Sequence, residues 1–195
     1  MKEDVRITKT KRDLRAGLAS LLKKMPLEKI TVCNVCEESL INRMTFYKHY
    51  MDKHDLLNDL VKDVKEKTVF YEGEDFDGIA FDTNPSEYIS KGVEIFVKAC
   101  NDNKEAINAL AIHDSILTYD VIKKNARYFT DCALSRYGLD RESNYDIDAV
   151  SEFLACGVSG YALNAIKDSE MSDGEIKTLM ALFSSVFTTQ LVFKQ

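Results

Sequence analysis

The chain has 195 residues, of which 45% are hydrophobic and 30% charged, an ordinary globular composition with enough residues for one larger or two small cores. Only 2 Pro and 8 Gly are present, too few for the frequent turns of an all-β chain, so the sequence predicts an all-α fold. Five cysteines, an odd number, disfavour a disulfide framework. Without a membrane-length apolar run or a signal-peptide core, we expect a cytoplasmic protein with no membrane contact.

Charge is distributed unevenly along the chain. The net charge is −6, yet residues 1–54 carry 12 Lys/Arg against 7 Asp/Glu, and residues 55–195 carry 14 against 25. A basic head on an acidic body is typical of a nucleic-acid reader joined to a second domain of different function.

The first 51 residues carry the pattern of three short helices. Apolar residues at helical spacing predict a first helix over residues 8–24, which Pro26 ends. Thr31 suits the N-cap of a second helix, and Asn42 suits the N-cap of a third that runs to about residue 49. The second and third helices then form a helix-turn-helix, whose last helix lies in the DNA major groove.

The remainder of the chain is also predicted to be helical, apart from one acidic segment. Asp52 and Asp55 form the pattern of a capping box at the start of a longer fourth helix. Residues 72–87 contain six acids and no Lys or Arg, which indicates a loop. Later helices are predicted over residues 85–100, 104–112, 116–137, 146–167 and 173–193.

The start of the third helix holds the predicted base-reading side chains. Arg43 can bond guanine in a bidentate way, and the methyl group of Met44 or Thr45 can contact thymine. Tyr47 is expected at the surface, whereas Phe46 and Tyr50 are expected in the core.

Residues at the end of this helix are predicted to hold DNA phosphates. Tyr47, Lys48 and His49 lie where the helix leaves the groove, and Lys53 begins the next helix, whose free N–H groups favour an anion. The complete predicted DNA-contacting set is Thr31, Asn42, Arg43, Met44, Thr45, Tyr47, Lys48, His49 and Lys53.

These residues carry a resemblance to a known family. The segments RITKTKRDLRAGLASLL, EKITVCNVCEES and MTFYKHYMDKHDLL make residues 6–60 similar to the DNA-binding domain of TetR-family transcriptional regulators. The resemblance implies a helix-turn-helix domain over residues 1–51. It further implies a helical domain over residues 52–195 that binds an effector and dimerises through its last two helices.

One turn departs from the family pattern. The family has A-G-V-S there, with Gly in a left-handed conformation, whereas this chain has Ser39-Leu40-Ile41-Asn42. Because a Leu with positive φ is strained, the sequence predicts an altered turn. Met44 also replaces a residue that is commonly small.

A zinc-finger spacing runs through the same segment. Cys33, Cys36, His49 and His54 match the Cys2His2 pattern. Helical capping around both cysteines and a new helix between the histidines argue against it, so we expect no metal. A redox role for the cysteine pair has no supporting βαβ pattern.

Enzyme motifs are lacking, and we expect neither catalysis nor a cofactor. Aromatic and polar side chains of the middle helices are candidates for an effector pocket, with plain core packing as the alternative for each. They are Tyr88, Phe96, His113, Tyr119, Tyr128 and Phe129.

The last two predicted helices carry wide apolar stripes that suit an intersubunit four-helix bundle, with packing inside one subunit as the alternative. Gly157 and Gly160 would permit close helix approach. The candidate dimer residues are Leu154, Val158, Tyr161, Met180, Phe183 and Phe187.

The sequence thus favours a homodimeric transcriptional regulator, a repressor, that binds a pseudo-palindromic double-stranded DNA operator and responds to a small-molecule effector. The alternative is a TetR-like helical adaptor that acts mainly through a partner protein. The acidic segment and the unusual turn motivate that alternative.

Overall fold

The structure, a computed structural model, describes residues 5–68, 85–136, 146–167 and 171–188. Every regular element in those ranges is a helix, which confirms the all-α prediction. The elements are α1 (Val5–Leu22), a 3₁₀ turn (Leu27–Lys29), α2 (Val32–Ser39), α3 (Arg43–Tyr47), α4 (Lys53–Thr68), α5 (Pro85–Asp102), α6 (Lys104–His113), α7 (Ser115–Arg136), α8 (Ile147–Ala165) and α9 (Asp173–Thr188). Within these ranges, no helix has both the length and the apolar character needed to span a bilayer.

Helix positions agree with the sequence expectations, and the ends differ by a few residues. The first helix begins three residues earlier than expected, and α3 ends two residues earlier, at Tyr47. α5 begins with Pro85 at its first position, as predicted. The acidic segment lies outside the described residues up to residue 84, and its last three residues belong to α5.

The predicted caps of the helix-turn-helix are confirmed. The Thr31 hydroxyl accepts a hydrogen bond from the Asn34 amide at 3.1 Å, and the Asn34 side-chain oxygen accepts one from the Thr31 amide at 3.0 Å. Asn42 caps α3 by accepting from the Thr45 amide at 3.0 Å. Each cap occupies a backbone donor that the helix start leaves without a partner, so both short helices begin at defined residues.

The turn between α2 and α3 keeps the left-handed conformation despite its leucine. Leu40 has φ 56° and ψ 30°, the one positive φ of a non-glycine residue among those described. Its amide donates to the Glu37 carbonyl at 3.3 Å, and the Ile41 amide donates to the Cys36 carbonyl at 3.0 Å. This pair of bonds is a Schellman motif. The prediction of an altered turn is therefore wrong, because two backbone hydrogen bonds hold Leu40 in a conformation that glycine adopts more easily.

Two compact units divide the chain. The first contains the described part of Met1–Lys67 together with Glu105–Thr118, and the second contains the described part of Thr68–Lys104 and Tyr119–Gln195. α4 and α6 therefore group with the helix-turn-helix by their contacts, whereas the sequence placed both beyond residue 51. The core of the first unit includes Leu14, Leu18, Leu22, Ile30, Phe46, Leu56, Leu60 and Ile107, all with almost no exposed surface.

In the second unit, α5 packs along α9, which touches α8 at fewer points. α5 and α7 approach closely at Gly92, where an added Cβ would collide with the Phe129 ring. Arg127 of α7 pairs with Asp148 and Glu152 of α8 at 2.6 and 2.9 Å. These contacts hold α8 by one face and leave another face to solvent.

Candidate nucleic-acid interface

The outward surface of α3 is formed by four exposed side chains. At 3.6 residues per turn, Arg43, Tyr47, Met44 and Lys48 follow one another in that order around an arc of about 140°. All four are exposed, with Met44 at 75% and Tyr47 at 52%, whereas Phe46 on the opposite side is fully buried. The expected division between a buried Phe46 and an exposed Tyr47 is therefore confirmed. We call the four residues the α3 arc.

Aromatic contacts connect the α3 arc to the core. The Phe46 ring lies edge-on to the Tyr47 ring at 5.4 Å between centroids and tilted against the Tyr50 ring at 5.7 Å. Tyr50 is also buried, as predicted. Such ring pairs have preferred orientations, so they restrict how α3 can rotate about its axis.

A polar network continues from Tyr50 into α4 and α1. The Tyr50 hydroxyl donates to Asp59 at 2.6 Å, and Arg15 donates to the same carboxylate at 2.8 Å. Arg15 also pairs with Asp63 at 2.9 Å. The network joins the residues that follow α3 to both neighbouring helices, so it supports the position of the α3 arc.

The protonation of this network follows from burial and charge. Burial raises the pKa of Asp59, but hydrogen bonds from Tyr50 and Arg15 outweigh it and leave that pKa below its ordinary value. Burial, and then the bond to Asp59, raise the pKa of Tyr50. At neutral pH the carboxylate is therefore charged and the phenol keeps its proton, which are the forms that the network needs.

Lys53 has a structural role that the sequence did not predict. Its ammonium donates to three carbonyl oxygens between α1 and α2: those of Leu27 and Ile30 at 2.8 Å, and that of Glu28 at 3.2 Å. An ammonium has three donors, so all of them are occupied. These donors hold the α1–α2 linker, so the predicted phosphate contact of Lys53 would require at least one of the three bonds to be released.

The carboxylate of Asp52 caps the start of α4. Asp52 accepts from the His54 and Asp55 amides at 2.8 and 2.9 Å, and the bond from Asp55 is the main reason that the pKa of Asp52 is lowered. This is the predicted cap. A carboxylate occupies these amides, so a phosphate would compete with it for the same donors.

The remaining predicted DNA-contacting residues fall into two groups. Thr31 and Asn42 are exposed, but their side-chain oxygens are engaged as helix caps. Thr45 and His49 are half-buried beside the arc. The structure thus brings Arg43, Met44, Tyr47 and Lys48 onto one surface and gives the other five partly or wholly structural positions.

The cysteines of α2 have the environment of protonated thiols. Cys33 is exposed and donates to Glu37 at 3.3 Å, which raises its pKa. Burial raises the pKa of Cys36. Since the thiolate is the reactive and metal-binding form, both shifts oppose such chemistry. Among the described residues, no group of three or more His, Cys, Asp and Glu side chains could hold a metal.

The effector-pocket candidates are only partly brought together. Tyr88 and Phe129 stack with centroids 6.0 Å apart, and both are buried, as is Phe96. Tyr119, half-buried on α7, donates to the Cys156 carbonyl at 3.4 Å. His113 belongs to the first compact unit, and Tyr128 is exposed on α7.

The dimer candidates divide between the core and the surface. Leu154 and Val158 are buried within the single chain, so they belong to the core and not to an open face of α8. Tyr161 and Met180 are half-buried, and the side chains of Phe183 and Phe187 lie outside the described residues. The exposed line along α8 consists of Phe153, Gly157, Gly160 and Asn164. We call it the α8 line.

Sequence reasoning missed the network of Arg15, Asp59 and Tyr50. The helical pattern of α1 and α4 showed which positions face inward, but polar side chains at such positions resemble surface residues in a sequence. A signal was present: Arg15 follows Leu14 and precedes Leu18, on the flank of the buried stripe.

A capped second helix, a left-handed turn and a short third helix with a basic, apolar outer surface define a helix-turn-helix protein with an all-α second unit. Its fold is that of TetR-family transcriptional regulators. A TetR-family regulator from Syntrophomonas wolfei has a TM-score of 0.68 at 11% identity, covering 96% of this chain and 99% of that one.

Two further solved structures share the fold. The dihydroxyacetone kinase operon activator DhaS has a TM-score of 0.61 at 10% identity, over 91% of this chain and 97% of its own. A TetR regulator from Streptococcus agalactiae has a TM-score of 0.50 at 20% identity, over 91% and 94%. No protein-family profile and no curated protein matches the sequence. At these identities the likeness establishes the fold.

Proposed function

We propose that the protein is a dimeric DNA-binding transcriptional regulator, a repressor whose affinity for its operator changes when a small molecule binds the second compact unit. The α3 arc carries this proposal. It holds two cations, its position is restricted by ring contacts and by the Tyr50–Asp59–Arg15 network, and residues 40–51 contain no acidic side chain. A major groove accepts a helix of this kind.

The α8 line supports the dimer. Glycine inside a helix is unfavourable by about 1 kcal/mol relative to alanine, yet Gly157 and Gly160 have nothing within 4 Å of an added Cβ. A second helix that approaches closely would explain both, and Phe153, 73% exposed, would be covered by the same contact. Two subunits would then place their α3 arcs one DNA turn apart, roughly 34–36 Å, on a pseudo-palindromic operator.

The buried aromatic cluster of α5 and α7 supports the effector site. Tyr88, Phe96 and Phe129 offer apolar surface with one hydroxyl, which is the usual lining of a small-molecule pocket. A ligand can shift DNA affinity only by the difference between its affinities for the two states of the protein. Tyr88→Phe should therefore alter the response to an effector without changing DNA binding in its absence.

Binding to random duplexes tests the proposal most directly. Fluorescence anisotropy at several salt concentrations should show affinity that falls as salt rises, because phosphate contacts release counterions. Arg43→Ala should change the preferred sequence by about tenfold or more in discrimination, since a bidentate base contact is lost. Lys48→Ala should weaken binding to all sequences alike and reduce the salt slope by about 0.9 per copy.

Two results would contradict these roles. If Arg43→Ala weakened every duplex equally, Arg43 would not read bases. Wild-type protein that bound no duplex in a salt-dependent way would remove the proposed function. Asp13→Ala, which changes an exposed ion pair on α1, is a suitable control for a charge change away from the α3 arc.

A helical adaptor remains the second candidate, on one observation. Ile112, Ile116 and Leu117 are all exposed around the junction of α6 and α7, with Ile116 at 81%. Exposed apolar side chains in one short segment are typical of a protein-binding surface. Transcription from a reporter in the presence and absence of Ile116→Asp would separate the candidates, because only an adaptor needs this segment. The same reporter would determine whether the outcome is repression or activation.

A further inference from the structure

The α3 arc places two apolar side chains between two cations. Arg43 lies at one edge and Lys48 at the other, while Tyr47 and Met44 occupy the middle. A helix that lies in a major groove has a phosphate backbone on either side and base edges in front of it. The apolar middle of the arc therefore faces base edges, while Lys48 lies toward a phosphate backbone and Arg43 can reach a guanine edge beside the apolar middle.

Met44 is conspicuous because most of its side chain is open to solvent. It is 75% exposed, although the neighbouring Phe46 is fully buried and Tyr50 nearly so. A buried methylene contributes about 0.8 kcal/mol, so the free protein leaves this contribution unused. Methionine is flexible and unbranched, which allows it to fit against small apolar groups of varied position.

We propose that Met44, with the Tyr47 ring beside it, recognises the C5 methyl groups of thymines, so that each operator half-site carries at least one thymine opposite the middle of α3. The inference rests on the proposed function, and it names the chemical group that the same surface reads. Sequence selectivity would then have two sources: burial of a thymine methyl group against Met44 and Tyr47, and hydrogen bonding of a base by Arg43.

Charge favours DNA over a protein as the occupant of this surface. No acidic side chain occurs in residues 40–51, and both edges of the arc are cationic. The nearby hydroxyl of Tyr47 raises the pKa of the Arg43 guanidinium, which remains charged throughout the usual pH range. A duplex supplies anions on both sides of an apolar strip, as this pattern requires.

Uracil substitution tests the proposal, because deoxyuridine differs from thymidine only by the C5 methyl group. Duplexes bound by the wild-type protein would be selected from a random pool, and each thymine would be replaced in turn by uracil. At one or more positions per half-site, the affinity of the wild-type protein should fall about fourfold per methyl. Met44→Ala should bind the thymine and uracil duplexes equally well at that position.

Two controls separate this effect from general weakening. Val5→Ala removes a similarly exposed apolar side chain from the same compact unit, and it should retain the full sensitivity to uracil. Met44→Gln keeps the length of the side chain but removes its apolar end, and it should lose the sensitivity. Because Met44 is exposed, Met44→Ala and Met44→Gln should both unfold at the wild-type temperature.

The outcomes distinguish the inference from the function on which it rests. Wild-type binding that is indifferent to uracil at every position would overturn the inference and leave the proposed function intact. Equal sensitivity of wild-type and Met44→Ala proteins to the same uracil would also overturn it, since another residue would then read the methyl. A wild-type protein that binds no duplex, but binds a protein through the α3 arc, would overturn both.

Discussion

The α3 arc and the α8 line both leave apolar side chains open to solvent, but the residues around them differ. Met44 and Tyr47 lie between Arg43 and Lys48, whereas Phe153 lies in line with two glycines on a helix that contains no Lys or Arg. A cationic border suits a polyanion, and glycines suit the close approach of a second helix. Similar exposure therefore points to different partners, and the neighbouring charges and side-chain volumes distinguish them.

The two surfaces are also supported differently. The α3 arc is on a five-residue helix, so its position depends on neighbouring helices, through the bonds that join Tyr50 to Asp59 of α4 and Asp59 to Arg15 of α1. The α8 line is on a helix of 19 residues, which many successive backbone hydrogen bonds stabilise. Perturbing distant residues should therefore affect the α3 arc more than the α8 line.

The largest expected effect tests the glycines of the α8 line. Gly160→Leu places a bulky side chain where a partner helix would approach, and overpacking of about 1–3 kcal/mol in each of two copies should weaken the dimer about 30-fold or more. Light scattering coupled to size exclusion measures the loss. Lys62→Leu, at an exposed position of α4, is the matched control. Dimers of unchanged affinity in Gly160→Leu would show that the α8 line is not the interface.

A substitution of Lys53 tests whether its bonds to the α1–α2 linker stabilise the first compact unit. Lys53→Met removes three hydrogen bonds to the α1–α2 linker and should lower the free energy of unfolding by about 2 kcal/mol, as urea denaturation would measure. The salt slope of DNA binding by the folded variant should stay at the wild-type value, in contrast to Lys48→Ala. A slope reduced in both variants would instead show that Lys53 contacts a phosphate, as the sequence predicted.

The Asp59 network should give the support of α3 a pH dependence. Asp59→Asn should lower the free energy of unfolding by about 1.5 kcal/mol at pH 7, a value reduced for the partial exposure of the carboxylate. The folded pKa of Asp59 is lowered, so its contribution is present above the unfolded value of about 4 and is lost as the pH falls through the folded value.

The difference between wild-type and Asp59→Asn proteins should therefore shrink below about pH 4. Urea denaturation at pH 7 and at pH 3.5 measures it, with Asp13→Asn as a control carboxylate in an exposed ion pair. If the two proteins differ in free energy of unfolding by the same amount at both pH values, Asp59 acts through packing and not through its charge.

The smallest expected effect concerns the turn before α3. Leu40→Gly should stabilise the fold by about 0.5–1 kcal/mol, because relief of about 1–2 kcal/mol of left-handed strain exceeds the added entropy of glycine in the unfolded chain. Leu40 is 92% exposed, so no burial is lost. Ser39→Gly, one residue earlier in helical conformation, should destabilise instead. Thermal unfolding measures both changes in stability. Lower stability in Leu40→Gly would mean that the leucine side chain itself stabilises the fold.

Local chemistry determined much of this protein in advance. Apolar spacing predicted helices over nearly every range that the structure describes, and Thr31, Asn42 and Asp52 marked helix starts because a side-chain oxygen at an N-cap acts on amides two or three residues away. The exposed Tyr47 and the buried Phe46 follow from the same helical period. Each of these features depends on residues close in the sequence.

Features that depend on distant partners were decided only by the tertiary structure. The sequence could not show that Lys53 meets carbonyls 23 to 26 residues away, that Asp59 joins Tyr50 to Arg15, or that Leu154 and Val158 face inward while Phe153 faces outward on α8. Helical periodicity gives the angles between side chains on one helix, but packing against other helices determines which of those side chains are buried. The partners of charged and apolar side chains therefore became evident only when the helices were placed together.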